Sequence, residues 1–110
     1  MATNTFKNFM SKNVGTTPAT VYTCPASTQT TIIGLSVANT SGSPITCDVY
    51  ITSSAVNYYL IKSAVVPVGG SLVVVGGDQK TVLEAADVLL VVTSAATSAD
   101  VVCSLLEIAP

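Results

Sequence analysis

Beyond residue 18, hydrophobic and polar residues alternate with a period of two along most of the chain, which predicts β-structure. Segment 45–52 shows it most cleanly. Ile45, Cys47, Val49 and Ile51 fall on one face, and Thr46, Asp48, Tyr50 and Thr52 on the other. One apolar and one polar face marks an antiparallel sheet with one side on a core and one in water. Residues 31–39 repeat the pattern, with Ile33, Leu35 and Val37 on one face and Gly34, Ser36 and Ala38 on the other. Further strands are predicted at 19–23, 58–62, 71–75, 80–84, 87–93 and 99–108. Between them lie turn signals: Pro25, T-S-G-S-P at 40–44, P-V-G-G at 67–70, G-G-D at 76–78 (read as a hairpin turn) and the small-residue loop 94–98. About eight strands, with turns near every ten residues, predict an all-β antiparallel sandwich, jelly-roll-like, with an Ig-like strand order as the alternative.

Two stretches depart from wet/dry alternation. Residues 88–92 are apolar throughout. The last strand carries Val101, Cys103 and Leu105 on one side and Val102, Leu106 and Ile108 on the other. A strand apolar on both sides needs cover on both, and a sandwich supplies only one. The other cover is expected from the N-terminal arm, a loop or another subunit.

The division expected is an N-terminal arm, residues 1–17, and a β-sandwich domain, residues 18–110. In the arm Phe6, Phe9, Met10 and Val14 recur at i, i+3, i+4 and i+8, which predicts a short helix capped at Asn4 or Thr5 and ended by Gly15. Both phenylalanines of the chain lie here. Either the arm folds back on its own core or it reaches a neighbouring subunit.

Composition narrows the function. Of 110 residues, 49% are hydrophobic and only 9% charged, against roughly 25% charged in an average domain. Such a surface is weakly self-repelling and suits a chain largely covered by other protein. The four basic residues Lys7, Lys12, Lys62 and Lys80 are scattered, there is no Arg, and the net charge is −2. Nucleic-acid and anionic-membrane partners both require a basic surface and are not expected. Residues 1–10 hold no unbroken apolar stretch of the signal-peptide kind, and no apolar run is long enough to span a bilayer.

Catalytic and cofactor chemistry has little to draw on. Without His, Ser–His–Asp and Cys–His mechanisms and His-ligated metals are excluded. Asp48, Asp78, Glu84, Asp87, Asp100 and Glu107 lie mostly in or beside predicted turns and read as solvated strand ends. Cys24, Cys47 and Cys103 are odd in number and widely spaced, so they read as reduced, buried thiols, as in a protein made in a reducing cytoplasm. No enzyme activity, cofactor or metal is expected. Gly69–Gly70 and Gly76–Gly77 are followed by β runs, so they are turns and not phosphate loops. The four tyrosines read as packing or interface residues. The candidate interface residues are Phe6, Phe9, Met10, Tyr58 and Tyr59, because aromatic side chains bury large apolar area at low entropic cost.

The segment V-P-V-G-G-S-L-V-V-V-G-G-D-Q-K-T-V-L-E-A-A-D-V-L-L-V-V, running on into A-A-T-S-A-D-V-V-C-S-L-L-E-I, resembles a family of small virion structural proteins of tailed bacteriophages, including cyanophages. The opening T-F-K-N-F and N-V-G-T-T-P-A-T-V-Y-T-C-P-A is similar to the start of the same family. The resemblance implies a β-sandwich component of the particle. Small β proteins of this size decorate and cement capsids, commonly as trimers, or build necks, tails, baseplates and fibres, including host-surface adhesins. The implied partners are further copies of the chain and a major capsid or other virion protein, in a virion assembled in the bacterial host cytoplasm. Where the family reads L-E-x-G-D, this chain has Leu83-Glu84-Ala85-Ala86-Asp87. Ala in place of Gly argues against a left-handed backbone turn at that point.

Overall fold

The computed structural model describes residues 3–76 and 79–110. The described residues form nine strands: β1 (Thr3–Val14), β2 (Ala19–Thr23), β3 (Gln29–Asn39), β4 (Ile45–Ser53), β5 (Val56–Val66), β6 (Ser71–Val75), β7 (Thr81–Leu83), β8 (Val88–Thr93) and β9 (Ala99–Ala109). Two antiparallel sheets pack face to face. One runs β1-β9-β3-β6, with β7 also on β3; the other runs β2-β8-β4-β5.

The expected jelly roll follows from the pairing. β6 and β7 lie along the same edge of β3, at Leu35–Ala38 and at Thr30–Ile32 respectively, and so form one interrupted track. With that track counted once, the partners are nested about the β4–β5 turn: β4 with β5, β3 with β6/β7, β2 with β8, and β1 with β9. This is one long antiparallel hairpin, rolled until β9 meets β3 and β8 meets β4. Because β6 and β7 continue in one direction, G-G-D at 76–78 does not join a hairpin. Gly77 and Asp78 themselves lie outside the described residues.

The inner faces meet in one core that includes Ile32, Leu35, Val37, Val49, Leu83, Leu89, Val91, Val101 and Leu105. In β3 the alternation slips. A bulge between Ile32 and Gly34 turns Ile32 inward in place of Ile33, while Leu35 and Val37 point inward as expected. Cys24, Cys47 and Cys103 are free and buried, and burial pushes the Cys103 thiol up to about 11. Such thiols pack as small apolar groups and are poor nucleophiles.

The arm is corrected by the fold. Residues 3–14 are not helical. They form β1, which pairs with β9 from Thr3↔Ala109 to Ser11↔Val101 in unbroken register. The 17/18 boundary therefore does not separate an arm from a sandwich. Thr3, Thr5, Asn4 and Asn8 are weak helix formers, and pairing with β9 outweighs the helical spacing of Phe6, Phe9 and Met10. Gly15 ends no helix; its role is close approach, since a Cβ there would lie 3.0 Å from the Thr97 nitrogen. The Gly15 and Val14 carbonyls accept the Thr93 and Ser98 amides at 2.9 and 3.0 Å, fastening the end of β1 to the β8–β9 turn.

Several turns hold left-handed backbone without glycine, at Ser27, Ser54–Ala55, Ala86 and Thr97. Ser54 and Ala55, between β4 and β5, both have positive φ, the type I′ hairpin geometry. Ala86 has φ 73°, and the Asp87 amide donates to the Glu84 carbonyl at 3.0 Å. The left-handed turn is thus retained despite the missing glycine. Its Ala86 amide is anchored on the Cys24 carbonyl at 2.9 Å.

Two outcomes follow. Ala86→Gly relieves the left-handed penalty and should raise unfolding free energy by about 1 kcal/mol, read by denaturant titration. Deleting residues 1–12 strips an edge strand and exposes β9, so the truncated chain should melt lower and aggregate.

Candidate functional site: the outer sheet face and its edge

The register places side chains on faces, because residues directly opposite in an antiparallel pair share one. Across the first sheet, Phe6 lies opposite Leu106, Leu106 opposite Thr31, and Thr31 opposite Val82. A second row runs Met10, Val102, Ser36, Val73. Both rows face outward. Phe6 is 75% exposed, Met10 68%, Val73 66%, Val82 61% and Val102 45%. Between them lies the row Asn8, Ser104, Gly34. No member of these rows carries a charge. The expectation that the outer side of the last strand needs cover is therefore sharpened: Val102 stands open, and β1 lies beside β9 in the sheet, not over it.

The five candidate interface residues separate. Phe6 and Met10 share the outer face. Phe9 points to the core side and packs on Tyr22, ring centroids 4.8 Å apart, so it belongs to its own sandwich. Tyr59 lies on the outer face of the second sheet, 5.0 Å from the Tyr50 ring, with the Lys62 ammonium 4.5 Å over its own ring. Tyr58 projects to the other side of β5, opposite Ile51, and is exposed at the sandwich end. Val73 and Val82 were not singled out in the sequence. Each sits in a short strand whose polar alternation is weak, and only the β3 register aligns them with β9.

Titratable chemistry gathers at one place, inside the end of the sandwich. Glu107, 8% exposed, is buried and is not a solvated strand end. The Tyr22 hydroxyl donates to Glu107 Oε2 at 2.6 Å, and Lys7 Nζ lies 2.9 Å from Oε1. The Thr30 hydroxyl, 2.7 Å from the Tyr22 oxygen, and the Cys24 thiol, 3.4 Å from Thr30, complete the network. The Tyr22 hydroxyl and then Lys7 hold the Glu107 carboxyl below its usual range. Burial, reinforced by Glu107, pushes Tyr22 up. The pair is thus locked as phenol and carboxylate, joining β2 of one sheet to β9 and β1 of the other. That is a latch; a proton-transfer centre would need values drawn toward neutrality. Asp48 and Asp100 serve smaller clasps: Asp48 accepts from the Ser63 amide at 2.7 Å and from Lys62, and Asp100 from the Asn13 amide and Lys12. Among the described residues no cluster of three or more His, Cys, Asp or Glu side chains is placed to hold a metal. No helix of the described residues is long and apolar enough to cross a membrane.

No protein-family model matches the chain, and no curated protein matches it in sequence. Among solved structures it is similar to a chain of the Bacillus endospore appendages, described as a family of disulfide-linked pili. The identity is 15%, the match covers 96% of this chain and 86% of that one, and the TM-score is 0.54. That likeness is one of fold. A chain of infectious bursal disease virus, Gt strain, matches at 10% identity over 99% of this chain and 33% of that one, with a TM-score of 0.47; this chain spans about a third of it.

The latch makes stability pH-dependent. A carboxyl lowered in the folded state stabilises fully above its unfolded value, about 4.3, and that contribution is lost as pH falls through the folded value. Wild-type melting temperature should therefore hold from neutrality to about pH 5 and then drop. Glu107→Gln should cost about 2 kcal/mol at pH 7 and show a shallower drop, the remainder coming from Asp100, which is lowered by the Asn13 amide and Lys12.

Proposed function

We propose that the chain is a non-enzymatic structural subunit of a bacteriophage particle, and specifically a capsid cement or decoration protein that stabilises the shell by packing against copies of itself and the major capsid protein. The observation that carries this reading is the outer face of the first sheet. Five large apolar side chains stand in two uncharged rows on a chain with very few charges to keep such a face in water. Exposed apolar patches of this kind mark protein contacts. The family resemblance supplies the particle, and the trimeric arrangement common among such proteins. The mechanism is burial: each copy adds one contact of ordinary size, and repetition over a closed shell multiplies it.

A second reading is a tail, neck, baseplate or fibre component, possibly a host-surface adhesin. It is favoured by the elongated shape, 49 × 27 × 22 Å, which suits end-to-end stacking, and by a fold shared with an appendage subunit. The disulfide linkage named for that appendage is not open to this chain without exposing core thiols.

Copy number in purified particles separates the two. A cement protein should approach the abundance of the shell's major subunit on quantitative gels, and a tail or fibre component should be a small fraction of it. In the same particles, Val73→Asp with Val102→Asp, both on the exposed face, should leave the unfolding free energy of the isolated chain within about 1 kcal/mol of wild type and abolish incorporation. Incorporation at wild-type level would remove the outer face from the argument.

A further inference from the structure

The two sheets expose four edges, and three are broken. β5 carries two register shifts, at Cys47/Val49 and Val49/Tyr50, and a left-handed Ser63. β2 is five residues long with a shift between Thr20 and Tyr22. The β6/β7 track is made of two short strands, β6 ending at Val75 and β7 starting at Thr81. Short, bulged or interrupted edges resist pairing with other chains. β1 differs. It is in unbroken register from Thr3 to Ser11, its one shift and the left-handed Asn13 being confined to its last residues, and its far side is bonded to no strand among the described residues. Its lysines, the usual edge guards, are engaged elsewhere: Lys7 with Glu107 and Lys12 with Asp100.

We infer that the free edge of β1 pairs with β1 of a second copy, antiparallel, about a two-fold axis at Asn8. The sequence of the strand selects both partner and register. A two-fold antiparallel pair sets residue i against residue j of the partner and the reverse, so i and j must share a face and their sum must be even. Centred on Asn8, Phe6 meets Met10 of the second copy twice over, an aromatic–thioether contact on the outer face, and Thr5 meets Ser11. Lys7 meets Phe9, and Asn4 meets Lys12. Centring on Lys7 opposes two like charges, and centring on Phe9 sets Phe6 against Lys12. Of these three centres only Asn8 sets apolar against apolar on the outer face without opposing like charges, at the cost of Lys7 against Phe9 on the inner side. About nine residues at ~3.4 Å each give an edge of roughly 30 Å, which with flanking side chains buries on the order of 1,000 Å² in total. That is the low end of specific contacts and matches a joint that becomes firm through repetition. The inference rests on the reading of the chain as a self-associating subunit and names one of its contacts. The edge is a different surface from the Val73–Val102 region of the outer face.

The test uses the full chain. The two Asn8 Cα atoms would lie about 4.5–5.5 Å apart across the axis, within disulfide reach. Under mild oxidation Asn8→Cys should therefore form a covalent dimer. Wild type, whose thiols are buried, should form none, and Val68→Cys, exposed in the turn after β5, should lag far behind. Asn4→Cys with Lys12→Cys should crosslink, and neither alone. Sedimentation of wild type should show a concentration-dependent dimer, weakened at least tenfold by Met10→Glu. The inference is overturned if wild type stays monomeric at high concentration, if Asn8→Cys crosslinks no faster than Val68→Cys, or if the dimer survives Met10→Glu unchanged. Those results leave the particle-incorporation assay with Val73 and Val102 standing on its own.

Discussion

The pairing of β1 along β9 is the contact on which the other features depend. Its nine-residue register sets Phe9 over the Tyr22 ring, brings Lys7 to Glu107, and turns Phe6 and Met10 to the outside. A shift of one residue would exchange the two faces of the strand. Phe6 and Met10 would then face the core side, and Lys7 would leave a buried carboxylate with a single hydrogen bond. The register is held at both ends. At one end the Tyr22–Glu107–Lys7 latch ties the two sheets together; at the other the Val14 and Gly15 carbonyls receive amides from the β8–β9 region.

This arrangement accounts for how so small a chain tolerates so little charge. The core is apolar and continuous, and among the described residues no buried side-chain nitrogen or oxygen lacks a hydrogen-bond partner. Six of the ten charged groups are spent on clasps: Lys7 on Glu107, Lys12 on Asp100, Lys62 on Asp48. Few charges are left to keep the outer face of the first sheet in water. A sandwich covers each sheet once, so an apolar outer face asks for a second cover from outside the chain. The proposed role and the proposed edge contact are two answers to that one demand, the first across the face and the second along its border.

Backbone strain sits in turns that the paired strands hold in place. Ala86 and the Ser54–Ala55 pair hold left-handed backbone that glycine or asparagine would occupy at lower cost. Each lies at a turn whose neighbours hydrogen-bond into strand ends. The sheets over-determine these turns, so an alanine is carried through a geometry its own preference opposes.

The all-β class, the two-sheet arrangement and the positions of β2 to β9 were legible in the sequence, because period-two alternation records which side of each strand faces a core, and turn chemistry marks where strands stop. Strand order was not legible in this way: a jelly roll was expected with an Ig-like order as the alternative, and the nested pairing gives the first. Three features were decided only by tertiary structure. Spacing in residues 1–17 predicted a helix, and the strand was decided by β9, a partner about a hundred positions away, whose unpaired edge outweighed local preference. Glu107 read as a solvated end because burial depends on what folds over a residue, here Tyr22 and Lys7 from two other strands. The outer apolar rows joined Phe6 and Met10 to Val73, Val82 and Val102 through cross-strand register, which is a property of paired strands and is absent from any single segment.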